Sequence, residues 1–228
     1  MKLLESGRLE AMSSMVSALE VGDWRIVGRI ESYSCKVAGG EQKSLYKKMA
    51  REGGASEIVA LSPPSANYNY LSKSTDSEGE YLTPENLEMF VISRKTLFNL
   101  ITTLNLSFYP DYDFSDAKSH EFSRAPSLSH VWAEIDSRLG LAPMYNKGLR
   151  ARLWEEIDRE IGGLRNAEIY TYKSDLTSDP FSEGGCGWYF NFFFYNVKLK
   201  RIVFFTCRAI SPNSSNSEDS EFAMDEED

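Results

Sequence analysis

Cysteine and histidine are scarce in this chain, and no long apolar run occurs in it. Of 228 residues three are cysteines and two are histidines. Cys35, Cys186 and Cys207 lie far apart with no Cys-x-x-Cys pair, so neither a disulfide framework nor a zinc-finger spacing is available. A reducing compartment is expected. No stretch approaches the ~20 apolar residues of a membrane-spanning helix. The opening stretch Met1–Met15 carries the acids Glu5 and Glu10 and no long apolar run, which argues against a signal peptide or anchor. His120 and His130 sit in no His-Glu-x-x-His pair. Gly-x-Ser-x-Gly, phosphate-loop and dinucleotide fingerprints are missing too, so an enzyme reading has little to hold.

What is present is acid, unevenly placed. The net charge is −9, yet Glu218 to Asp228 alone hold seven acids and no base. The remainder is nearly neutral, so the acidity belongs to a tail, over 211–228, expected to stay solvated and disordered.

Residues 1–210 read as one α/β domain. Leu9, Met12, Met15, Val16 and Leu19 recur at helical spacing, and Trp24 to Tyr33 alternate as a half-buried strand. Ser93 is a helix cap before Leu97, Leu100, Ile101 and Leu104. A polar, aromatic loop over 108–127 leads to a second stripe at Leu128, Val131, Trp132, Ile135 and Leu139. The third, Leu149, Leu153, Ile157 and Ile161, repeats every fourth residue, with Arg152/Glu156 and Glu155/Arg159 expected as ion pairs. Between the Trp24–Tyr33 strand and the Ser93 cap, about 53–92 offers turn formers and charge without period, and reads as a mobile, phosphorylatable insertion.

The last third is strand. Trp188–Tyr195 and Arg201–Arg208, joined by a hairpin-sized link, are apolar on both faces and must be covered on both. A central antiparallel sheet with helices packed on both faces follows. Burial of these aromatics, and the lack of glycine in the strand, disfavour base stacking on the sheet as in RNA-binding modules.

Asp111-Tyr112-Asp113-Phe114-Ser115-Asp116 is the best acidic cluster. As a calcium loop it fails, because Asp116 and Phe122 fall where glycine and a bidentate glutamate are required. As the Asp-x-Asp metal site of a nucleotide-sugar transferase, Asp111 and Asp113 survive, and this stands as the alternative function. Otherwise these carboxylates cap turns or pair with Arg124 or Lys118.

Three ordered blocks resemble the Maf-one family of eukaryotic repressors of RNA polymerase III transcription. They are Met1–Glu5 with Gly28–Lys36; Ser93–Phe98 with Pro110–Ser115 and Ser119–Phe122; and Trp188–Arg208 around Tyr195-Asn196 and Leu199–Phe205. The resemblance implies a non-enzymatic regulator without cofactor, shuttling between nucleus and cytoplasm. Its partners would be the polymerase near its clamp, the Brf-type initiation-factor subunit, and growth-linked kinases and phosphatases. Initiation at tRNA and 5S genes would be blocked under stress. A monomer without membrane or sequence-specific nucleic-acid contacts is expected. Carried onto this chain, Ser62, Ser72 and Ser74 are phosphorylation positions, and Lys198, Lys200 and Arg201 an import element. Arg29, Glu31, Lys36, Asp111 and Asp113 are partner-binding candidates. The tail is shorter than the family's, and the insertion lacks Arg-rich kinase sites.

Overall fold

A computed structural model describes residues 1–36, 39–51, 57–63, 88–173 and 179–212. In chain order the regular elements are β1 (Lys2–Leu4), α1 (Gly7–Ser17), β2 (Glu20–Val21), β3 (Trp24–Ser34), α2 (Gly40–Arg51), β4 (Ile58–Ala60), β5 (Val91–Ser93), α3 (Arg94–Ser107), β6 (Phe122–Arg124), α4 (Leu128–Leu139), α5 (Arg150–Ile161), β7 (Glu168–Tyr172), β8 (Cys186–Asn196) and β9 (Arg201–Ile210).

The main sheet runs β1-β3-β9-β8-β7-β6 with antiparallel pairing throughout, and β2 adds to β3. The β8–β9 hairpin is central, as strands apolar on both faces demand. Phe190, Phe192, Phe194, Val203 and Phe205 pack on one side with α1, α4 and α5. Phe193, Tyr195, Ile202 and Phe204 pack on the other with α3 and the partly buried Leu45 and Met49 of α2. The result is the three-layer α/β arrangement expected. Its aromatic strands are core: Phe193, Phe194, Phe204 and Phe205 are all fully buried.

Local chemistry sets the helix ends. Ser93 Oγ accepts from Thr96 N–H at 3.1 Å, and Ser127 Oγ accepts from His130 N–H at 3.1 Å. At the other end of α5, Gly162 is left-handed (φ 72°). Its missing side chain also makes room, since a Cβ there would lie 2.5 Å from Leu199 Cδ1. On the wet face Glu155 pairs with Arg159 at 2.6 Å. Glu156 goes to Arg159 at 2.6 Å and to Arg8 of α1 at 3.9 Å, not to Arg152 as its spacing suggests. Arg159 can serve both acids because it lies one turn beyond each.

The 53–92 stretch departs from expectation at both ends. Residues Ile58–Ala60 pair antiparallel with Val91–Ser93, and Leu61 is buried in the core. Ordering is offset there by ladder bonds and by one well-buried leucine. Residues 53–56 and 64–87 of the insertion and 213–228 of the tail lie outside the described residues. The 108–127 loop likewise contains a strand, β6, which closes the sheet edge against β7.

Candidate functional site

Apart from Lys36, the described candidate residues fall at three places: the β8–β9 hairpin tip, the junction of β3 with α3, and the outer edge of β6.

At the hairpin tip, Val197–Lys200 form the turn, and Lys198 and Lys200 are exposed. Arg201 is not free beside them. Its Nη1 donates to the Glu160 carbonyl at 2.8 Å and pairs with the Glu160 carboxylate at 3.1 Å. Asn196, its cross-strand partner, donates from Nδ2 to the Ile161 carbonyl at 2.9 Å. Both side chains therefore satisfy carbonyls that the last turn of α5 leaves open, and Arg201 adds a cation at the negative end of the helix. Two exposed lysines remain of the three basic positions.

At the β3–α3 junction Arg29 and Glu31 are likewise engaged. Arg29 Nη1 donates to the Ser107 carbonyl at 2.6 Å, and its guanidinium carbon stands 4.5 Å from the Phe108 ring centroid. Glu31 accepts from Ser107 Oγ at 2.5 Å and from the Tyr33 hydroxyl at 2.8 Å. Burial, then the nearby Glu31 carboxylate, pushes the Tyr33 phenol far above its ordinary value, so it stays a donor. Arg29 and Glu31 thus act first as a buttress for the loop that follows α3. That loop carries Asp111 and Asp113, both exposed, and Tyr109, which is 78% exposed. Asp113 Oδ1 accepts from Ser115 N–H at 2.9 Å, capping its own turn, while Arg124 pairs with Glu168 at 3.4 Å. Lys36 is exposed at the far end of β3. Tyr109 escaped sequence reasoning because nothing in an aromatic-rich loop distinguishes the one ring that faces water.

Ser62 lies on the β6 edge in an isolated parallel bridge to Ser123. Its N–H donates to the Phe122 carbonyl at 2.9 Å, and its hydroxyl donates to the His120 carbonyl. Ser72 and Ser74 lie outside the described residues. Next to the same edge is a cavity of about 370 Å³, lined among others by Met89, Arg124, Ser127, Leu128, Arg165 and Glu168. Neither the Ser127 cap nor its meeting with Met89 was read from the sequence, where Ser127 only ends a polar loop.

The thiols are quiet. Burial pushes Cys35 up to about 12 and raises Cys207 further still. Among the described residues no three His, Cys, Asp or Glu side chains gather as a metal site, and no helix is long and apolar enough to cross a membrane.

Residues 26–206, from β3 into β9, match the Maf1 regulator family. The chain belongs to that family. The matched stretch holds every candidate position named above. Among Maf1 relatives, a Dictyostelium discoideum protein named Repressor of RNA polymerase III transcription is 35% identical, over 92% of this chain and 85% of that one. A Schizosaccharomyces pombe protein, Repressor of RNA polymerase III transcription maf1, is 31% identical over 97% and 91%. A crystal structure of citrus MAF1 superposes with a TM-score of 0.62 at 30% identity, covering 90% of this chain and 99% of the citrus one. The Maf1 fold is therefore shared along nearly the whole citrus chain.

Proposed function

We propose that this chain represses RNA polymerase III transcription without catalysis. It docks as a monomer on the polymerase near its clamp and on the Brf-type subunit of the initiation factor, and so blocks initiation at tRNA and 5S genes. The observation that carries the reading is the 35% identity, across 92% of this chain, to a Dictyostelium repressor of the same polymerase. Two exposed surfaces support docking. One is Tyr109 with Asp111 and Asp113, held by the Arg29–Glu31 buttress; the other is Lys198 and Lys200 on the hairpin tip.

Control comes from kinases and phosphatases acting at Ser62, Ser72 and Ser74, with passage between cytoplasm and nucleus. Each phosphate adds about −1.5 to −2 charges to a segment already holding Asp76, Glu78 and Glu80. An acidic partner surface would then be repelled.

The test is recovery of partners by the tagged chain from nuclear extract. Polymerase III subunits and the Brf-type subunit are the expected catch, and their absence rejects the reading. Chain phosphorylated at the three serines should recover less, with the gap narrowing as salt rises.

A further inference from the structure

Leu61 to Pro63 form a strap along the outer edge of β6. Leu61 N–H donates to the Phe90 carbonyl at 2.8 Å and Ser62 N–H to the Phe122 carbonyl at 2.9 Å. Ser123 Oγ donates to the Pro63 carbonyl at 3.2 Å, and the Leu61 side chain, 6% exposed, is sunk into the core. The remaining contact is Ser62 Oγ to the His120 carbonyl, the one bond of the set donated by a hydroxyl of the strap itself, and its hydrogen sits on a group that chemistry can replace.

We infer that Ser62 is a latch, and that the strapped edge and a phosphate on Ser62 exclude each other. The inference rests on the reading of Ser62 as a phosphorylation position and supplies its structural consequence. A kinase transfers the γ-phosphoryl group of ATP to Oγ. The bond from that phosphorus to the ADP oxygen breaks, an Oγ–P bond forms, and the hydroxyl proton passes to the kinase's base. The product oxygen has no hydrogen, and the phosphate oxygens are acceptors carrying negative charge. A carbonyl that received a donor now faces acceptors only.

Access works in the same direction. The Ser62 hydroxyl bond lies at the exposed edge, but a kinase cleft takes its substrate as a free extended segment while Leu61 to Pro63 are bound along β6, so transfer follows lifting of the strap, a local opening confined to one leucine and a few edge bonds. Phosphorylation traps that open state, because the latch bond can no longer re-form. β6 then presents the Phe122 carbonyl unpaired, and β4 loses its direct tie to the main sheet. Dephosphorylation restores a donor and lets the strap close. The switch thus changes which backbone edge the protein displays, beyond the added charge alone.

Amide hydrogen exchange on the full chain tests this directly, in three forms: unmodified, Ser62→Ala, and phosphoserine installed at position 62. The amides of Leu61 and Ser62 are the reporters and those of Ile202 and Phe204, deep in β9, the controls. Phosphoserine should speed reporter exchange by at least about tenfold with the controls unchanged, and alanine should speed it by a smaller factor. Unchanged or slowed reporter exchange in the phosphorylated form overturns the latch; slowing would mean that a neighbouring base such as Arg124 or His120 holds the phosphate in place. Unchanged exchange in the alanine form also overturns it. No polymerase enters the measurement, so its failure would leave the repressor reading standing, and the reverse.

Discussion

The guanidinium carbon of Arg29 lies 4.5 Å from the centroid of the Phe108 ring, while Nη1 of the same group donates to the Ser107 carbonyl. A strand is thereby fastened to the end of a helix by one side chain that supplies a cation to an aromatic face and to the negative helix terminus. Phe108 in turn contacts Phe114, Phe181 and Phe204, so the fastening reaches the core. Arg29→Ala should cost about 1–2 kcal/mol in chemical denaturation, since the side chain is about one-third exposed and both interactions are partly screened. Arg29→Lys should recover only part, because an ammonium cannot cover the ring and meet the carbonyl at once.

On the other face, α1 lies directly on β3. Ser17 Oγ accepts from Gly28 N–H and donates to the Gly28 carbonyl, both at 3.0 Å, covering backbone that no neighbouring strand reaches. The approach is close enough that a Cβ on Gly28 would fall 2.4 Å from Val16 Cγ1. Gly28→Ala should destabilise by about 1–3 kcal/mol. Val16→Ala should destabilise alone but relieve the clash in the double variant, so the two costs should fall short of additivity. Full additivity in a denaturation cycle would show that the helix simply shifts away.

The α4–α5 connection has a pH signature. Burial tends to raise the Asp136 carboxyl, but hydrogen bonds from Arg150 and Tyr145 together with the Arg150 charge outweigh it and hold the group below its ordinary value. The Arg150 pair is bidentate, with contacts of 2.7–3.0 Å. A depressed carboxyl stabilises the fold above its unfolded pKa, near 3.9, and that contribution disappears as pH falls through the folded value. Asp136→Asn should therefore cost roughly 1 kcal/mol at pH 7, discounted for partial exposure, and markedly less at pH 3. Denaturation midpoints of both forms at the two pH values read the gap.

The central layers were legible because their pattern is strong. Leu149, Leu153, Ile157 and Ile161 could face only one way, and β8 and β9, apolar on both sides, had to lie mid-sheet. What escaped was short or dispersed. The helix α2 offers only Leu45, Tyr46, Met49 and Ala50 as apolar or aromatic positions among glycine, polar and charged residues. β4, β5 and β6 are three residues each, too short for a period, and exist because distant segments complete their ladders. The same holds at the candidate sites. That Arg201 is committed to the end of α5 and Arg29 to the end of α3 depends on where those helices stop in space. A basic residue near a turn looks identical in sequence whether it is free or bound.

Repression itself is measured most directly by transcription of a tRNA gene by purified RNA polymerase III and its initiation factors with the unphosphorylated chain titrated in. Transcript should fall as the chain approaches and passes the polymerase concentration, while a polymerase II template in parallel holds steady. Undiminished tRNA synthesis at a large excess of folded chain would contradict the account.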